Sequence, residues 1–430
     1  MLDILKNAWK VVEIRKKIFF TFLIILIFRI GAVVPVPFID VNGLSAAVQG
    51  SNGVNEFFSY LSALTGAGLQ YGAIFAMSVT PYINASIIMQ LLTSAFPFLE
   101  RIAKGEDGQK RIAKYTRFVT VILGLIQGTV YFIWLNNNNL VVSGDGAVAK
   151  VFAAIVIILC FTAGSAIMMW MGERIDEKGI GNGISILLFA GILSRVPESA
   201  ASLWVTAVDE KNYVGVVLML LLFLAIIGFI VWMTNAERRI PIQYAKRVVG
   251  RKMYGGQSTH LPIQVNMAGV MPIIFASSFL SIPSMVLAFM GPDRRDMLIY
   301  RVFEQFSYRG VFYILLYLAM IIGFAYFYVS MQYNPLEMAN NLRKNNGSVP
   351  GIRPGQPTAD YLGKIIKRIV LVGAIFLGVL AILPIVLSNF TSLNIALGGT
   401  SLLIVVGVAL DTVRSLESQL MMRHYKGFLD

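Results

Sequence analysis

Ten stretches of about 20 apolar residues recur along the chain, near 18–37, 74–96, 116–135, 151–171, 184–203, 214–234, 266–290, 311–331, 365–387 and 393–411. A helix needs about 20 such residues to cross a bilayer core. Backbone polar groups in lipid are satisfied only inside helices or closed barrels, so runs of this length and number predict a bundle of membrane helices. Of the 430 residues, 57% are apolar and 14% charged, where a soluble protein carries about 25% charge. A soluble enzyme, a disordered chain and a disulfide scaffold are excluded. A single cysteine, Cys160, lies within an apolar run, where packing is its expected role and no intrachain disulfide is possible. The opening stretch Met1 to Lys17 is charged and lacks the pattern of a removable signal peptide.

The connections orient the spans. Of the 36 Lys and Arg, 28 fall in or beside alternate connections beginning with the N-terminus and seven in or beside the others, with Arg29 counted apart inside a run. The excess of positive charge in cytosolic loops places both termini in the cytoplasm. Five runs precede the connection at 204–213 and five follow it. An odd number per half makes the second half enter from the opposite side, the geometry of an inverted repeat. The domains expected are an arm (1–17), a first half (18–203), an external hinge loop (204–213), a second half (214–411) and a tail (412–430). Within the first half, residues 56–73, EFFSYLSALTGAGLQYGA, hold an apolar stretch too short to span. It reads either as a re-entrant segment, tolerated where protein or a cavity surrounds it, or as an external amphipathic loop.

Little in the chain suggests bond-making chemistry. Both histidines, His260 and His424, lie in expected cytosolic segments, and metal-binding spacings and phosphate loops do not occur. No enzyme activity and no cofactor are expected. Carboxylates are missing from the span interiors; Asp411 closes the last run, and Glu173, Asp176 and Glu177 fall in an expected loop. Proton- or ion-coupled carriers use intramembrane carboxylates, which argues against that class. Arg29 is expected to pair with backbone carbonyls or to snorkel. A pathway through such a bundle has an apolar lining. Ile83 with Ile87, and Ile184 with Leu188, share helix faces at i, i+4 spacing. Such pairs are either core packing or a water-excluding constriction, and composition does not choose between them.

Two basic connections stand out. Residues 235–264 carry six cations against Glu237, and 331–368 are rich in Gly, Pro and cations. Loops this long are commonly functional. Their charge suits an acidic protein patch or RNA phosphate, or simple orientation of the spans and attraction to anionic membrane lipids. The external loop 291–310, with four cations and three acids, suggests no function.

At these loops the sequence resembles the SecY family of protein-translocation channels. The likeness is carried by YAKRVVGRKMYGGQSTHLPIQVNMAGVMPIIFASS, WMGERIDEKGIGNGISILLFAGI, FRIGAVVPVPFID, TPYINASIIMQLL, NNLRKNNGSVPGIRPGQPTADYL and GGTSLLIVVGVALD, in the family's order, from about residue 15 to about 415. The resemblance implies an all-α polytopic membrane protein of ten transmembrane helices, in two pseudo-symmetric inverted five-helix halves, with a short re-entrant plug helix. It implies a bacterial plasma-membrane channel that passes unfolded preproteins and releases hydrophobic segments, such as signal sequences, sideways into lipid. A secondary transporter of a small solute is the alternative; it needs polar midplane groups that the spans almost lack.

Carried over by motif, the resemblance implies a pore ring of Ile83, Ile87, Ile184, Leu188, Ile274 and Ile404, with Leu188 standing where an Ile is expected. The plug falls at about 57–70, with Phe57, Phe58, Tyr60, Leu61, Leu64, Thr65 and Gly66. A lateral gate lies between the second and third spans and the seventh and eighth, with Gln90, Gln127 and Asn266 as polar contacts across it. Docking of the motor ATPase SecA or of the ribosome falls to Arg353, then Arg247, Arg251 and Lys246. SecE as a clamp and SecG as a peripheral subunit complete the implied partners.

Overall fold

Apolar runs bounded by charge fold as helices because the bilayer leaves the backbone no other partner than itself. A computed structural model describes residues 9–48, 66, 68–105, 107–142, 146–209, 213–244, 247–249, 252–254, 258–290, 310–390 and 399–426. Among these, the helices are α1 (Val12–Gly31), α2 (Val41–Val48), α3 (Thr80–Ala95), α4 (Pro97–Lys104), α5 (Gly108–Asn137), α6 (Ala147–Lys178), α7 (Gly183–Leu193), α8 (Val196–Asp209), α9 (Tyr213–Thr234), α10 (Met271–Met290), α11 (Val311–Gln332), α12 (Pro335–Lys344), α13 (Gln356–Phe390) and α14 (Gly399–Lys426). Among the described residues, each of the ten apolar runs overlaps one of these helices or a consecutive pair. Among the described residues, six segments are long and apolar enough to cross a membrane by length and composition alone, and a seventh is α3 with α4, bent by 108° at the break before Pro97. Proline removes the helical N–H and disfavours helix at the residue before it, which accounts for the break. The other three runs lie on α1, which carries Arg15, Lys16, Lys17 and Arg29, on α10, which holds Pro283, and on α14.

Several connections are more ordered than their polarity suggests. Glu173, Asp176 and Glu177 belong to α6, which continues to Lys178 rather than opening into a loop. The expected external loop at 204–213 is helical through Asp209 in α8, and the tail remains helix to Lys426. The bundle is not purely helical either. Within the connection 235–264, β1 (Glu237–Tyr244) and β4 (Ser258–Gln264) pair as an antiparallel hairpin, in register Glu237↔Gln264 to Gln243↔Ser258. Between them β2 (Arg247–Val249) pairs with β3 (Lys252–Tyr254). The second basic connection adds β5 (Gly347–Ser348) to the free edge of β1, giving the order β4-β1-β5.

Packing follows the layers. Helices α5 and α6 meet along Gly124 and Gly128, where small residues let the axes approach; a Cβ on Gly124 would sit 2.9 Å from Ser165 Oγ. Arg117 Nε donates to Glu173 Oε1 at 2.8 Å and ties the same two helices at their charged ends. One aliphatic core joins α1, α6, α7, α9, α10, α11, α13 and α14, and a second, around Tyr131, Trp134 and Phe161, fills the end of α5 and α6. Cys160 packs against the second core. Outward faces such as Phe19, Phe22 and Leu26 on α1, and Leu218, Leu221 and Leu224 on α9, stay exposed. A continuous apolar exterior of this kind needs lipid.

Candidate functional site

Four helices converge on the aliphatic centre, and each begins with a local signal. Pro81 stands in the first turn of α3, where its missing N–H costs nothing. Asn182 caps α7 by accepting from Ser185 N–H at 3.0 Å, and Asp176 Oδ1 accepts from Gly183 N–H at 2.7 Å. Helix α10 opens with Ile273 N–H on Val270 O at 3.2 Å, and α14 starts at Gly399. These starts bring Leu188, Ile274 and Ile404 into one buried cluster, with Ile83 and Ile184 packed against it. Ile87, one turn along from Ile83, is buried but falls outside that cluster. Close-packed aliphatic groups offer ions no ligands and water no hydrogen bonds.

Of the expected plug residues, Phe57, Phe58, Tyr60, Leu61, Leu64 and Thr65 lie outside the described residues; Gly66 is described and buried. Its φ of +66° is left-handed, and a Cβ there would lie 2.7 Å from Ser194 Oγ and 2.8 Å from Gly191 O, so glycine alone fits comfortably. Arg29 Nη1 donates to Gly66 O at 2.9 Å, which is the carbonyl pairing its sequence position suggested. Residues 68–79 then run through mostly buried turns with several backbone groups paired: Ala73 N–H to Gly68 O at 2.8 Å, Val36 N–H to Gly72 O at 2.8 Å, Ile74 N–H to Val34 O at 3.0 Å and Tyr131 Oη to Leu69 O at 3.1 Å. Such pairing supports irregular backbone inside a bundle, although Ser78 Oγ is buried with no partner among the described residues.

The three expected gate amides sit on elements that pack together, since α10 contacts both α3 and α5. Gln90 Nε2 donates to Ser86 Oγ of its own helix at 3.3 Å. Gln127 is buried on α5, and Asn266, just before α10, is buried with Oδ1 lacking a partner among the described residues. Beside it Gly373 of α13 brings the chains close, because a Cβ there would lie 2.5 Å from Val265 O.

On the basic end, Arg353 is exposed at the tip of a shaped turn. Gly351 and Gly355 take φ of +81° and +104°, and Thr358 Oγ1 donates to Arg353 O at 2.8 Å. Arg247 lies on β2 opposite Tyr254, while Lys246 and Arg251 lie outside the described residues. Through the β1–β5 pairing the two basic connections form one platform, a union that the separate sequence segments did not announce. Two further polar residues escaped sequence reasoning. Asp176 caps α7 across seven residues, and partial burial pushes its carboxyl above the usual 3.8, with the Gly183 N–H opposing and Glu173 adding to the rise. Arg414, beyond the last run, donates to Thr234 O and Asn235 Oδ1. No local pattern marks the first, which reaches Gly183 from the end of α6; only the position of a cation after an apolar run marks the second.

These features define a multi-pass helical membrane protein with a buried hydrophobic meeting point of several spans and a basic platform at one end. A family model described as SecY matches residues 73–413. The protein translocase subunit SecY of Bacillus subtilis is 42% identical over 441 residues, covering all of both chains. That of Thermotoga maritima is 40% identical over 433 residues, covering all of this chain and 98% of that one. Among solved structures, a protein-conducting channel superposes with a TM-score of 0.62 at 18% identity, covering 94% of this chain and 92% of that one. Sec61 in the canine ribosome–channel complex from the endoplasmic reticulum gives 0.56 at 16% identity, with the same coverage. The chain belongs to the SecY family, the channel subunits of protein translocases.

Proposed function

We propose that the protein is a passive, gated conduit through which unfolded polypeptide crosses the bacterial plasma membrane, with both termini cytoplasmic. The observation that carries this reading is the gathering of Ile83, Ile184, Leu188, Ile274 and Ile404, from four helices, in or against one buried hydrophobic cluster. With Ile87 they form the constriction. An apolar ring has no fixed hydrogen-bond geometry, so chemically diverse segments slide past without strong binding. At rest the same ring, backed by the plug segment near 57–70, denies ions a continuous water column. The halves 18–203 and 214–411 part along the face where α10 meets α3 and α5, with Gln90, Gln127 and Asn266 facing the opening seam. A sufficiently apolar segment leaves through it into lipid, since burial of hydrophobic area favours that route.

Energy comes from a docked partner, because the sequence has no nucleotide-binding motif. SecA or the ribosome docks on the basic platform, led by Arg353 with Arg247, Arg251 and Lys246, where planar guanidinium forks pair carboxylate or phosphate bidentately. SecE clamps the two halves and SecG binds at the periphery. The test is translocation in proteoliposomes holding the chain with SecE, given an unfolded secretory precursor, SecA and ATP. Protease-protected precursor is expected, and Arg353→Glu is expected to abolish it. Protection that survives Arg353→Glu moves the motor contact elsewhere. No protection with a folded complex overturns the conduit.

A further inference from the structure

The extension of α14 past Asp411 has two occupied faces. On one, Leu416 is buried with Ile14 of α1 and Ile180 of the α6–α7 turn. Lys17 Nζ donates to Gln419 Oε1 at 3.1 Å, and a Cβ on Gly181 would lie 3.5 Å from Thr412 Oγ1. On the other face stands Arg414. Its Nη2 donates to Thr234 O at 3.0 Å and to Asn235 Oδ1 at 2.9 Å, and its Nη1 to Gln264 Oε1 at 3.4 Å. Thr234 ends α9, and Gln264 pairs with Glu237 where the β1–β4 hairpin opens. One guanidinium therefore holds both legs of the hairpin at its root.

We propose that Arg414 is a positioning residue that couples the hairpin 235–264, through the extension of α14, to α1 and the α6–α7 turn of the first half. This rests on reading the basic platform as the docking surface. The hairpin does not need Arg414 to fold, since its own ladder runs from Glu237↔Gln264 to Gln243↔Ser258. What the fork adds is orientation. A single-point tether lets a hairpin pivot about it, whereas a planar three-contact fork resists pivoting. A partner pressing on the hairpin then moves α14. Ten residues along that continuous helix, roughly 15 Å at 1.5 Å per residue, lies Ile404 of the aliphatic cluster. In the other direction Leu416 and Gln419 carry the displacement into the first half.

The test places spin labels at His260 on the hairpin and Met421 on α14, both exposed, as cysteines in a Cys160→Ser background of the reconstituted complex with SecE. One narrow distance distribution is expected with Arg414 present. Arg414→Gln is expected to broaden it, and Arg414→Lys, with one donor group in place of a fork, to give an intermediate width. Arg414→Gln is also expected to leave SecA binding unchanged while SecA-driven translocation falls about fivefold or more, the low end of ordinary coupling energies. An unchanged distribution in Arg414→Gln overturns the proposal, as does a broadened one with full translocation. Loss of SecA binding in Arg414→Gln overturns it too, since Arg414 would then be part of the docking surface. Should SecA fail to bind the unsubstituted complex, the docking reading falls, and the distance distributions still decide whether Arg414 orients the hairpin.

Discussion

Asp176 illustrates what one carboxylate does where a helix starts. Its Oδ1 accepts the Gly183 N–H at 2.7 Å at the positive end of α7, a favourable place for negative charge. Gly183 also presses on the Gly172 carbonyl so closely that any Cβ would overlap it, while Asp176 keeps an exposed surface and its carboxyl is only partly surrounded by protein. Burial dominates and raises its pKa above 3.8. The native state therefore holds the Asp176 proton to higher pH than the unfolded chain does. Where the folded state binds more protons, stability falls as pH rises, so this group's contribution is greatest at acid pH and is lost through and above the ordinary carboxylate range. Asp176→Asn keeps an oxygen for the Gly183 N–H and removes the titration. Melting curves of the detergent-solubilised protein across that range are expected to fall less steeply for the variant. Identical slopes would show that the group is solvated.

At the scale of elements, the close contact of α5 with α6 makes two neighbouring glycines behave differently. A Cβ on Gly124 meets Ser165 Oγ at 2.9 Å, whereas on Gly128 the nearest atom is Ile158 O at 3.5 Å. Gly124→Leu is expected to push the helices apart and destabilise by about 1–3 kcal/mol, the usual cost of overpacking. Gly128→Ala is expected to be neutral or stabilising by up to about 1 kcal/mol, because alanine favours helix over glycine. Thermal unfolding of the two variants separates these outcomes, and equal losses would defeat the distinction. The same elements show what was legible in the sequence. Every apolar run overlaps helix among the described residues, because length and hydropathy report the bilayer. Helix ends were not legible. Hydropathy marks where the membrane stops, while the backbone ladder of α6 runs on to Lys178 and that of α14 to Lys426. The hairpin carried a readable sign, a period of two with Ile240 and Ile242 buried between exposed neighbours in β1, but it spans only a few residues of a long and charged connection.

In the whole molecule the candidate constriction was legible only through resemblance. Ile83, Ile184, Leu188, Ile274 and Ile404 are chemically ordinary, and nothing in their spacing sets them apart from core residues; only the convergence of α3, α7, α10 and α14 brings them together. Their proposed role follows from what they lack. Ile274 is 8% exposed within a buried hydrophobic cluster, so an amide there would lack hydrogen-bond partners, at a cost of about 1–3 kcal/mol. Water relieves that cost by entering the constriction. Ile274→Asn is therefore expected to raise the resting ion conductance of the reconstituted complex in planar bilayers and to admit precursors with defective signal sequences. Ile274→Leu, which keeps apolarity and volume, is expected to stay tight. A remote residue of the same cluster such as Tyr317, buried on α11, offers the discriminating control. If Tyr317→Phe leaks as much as Ile274→Asn, the seal belongs to the packing of the bundle at large; if only the isoleucine position leaks, it belongs to the meeting point of the four helices.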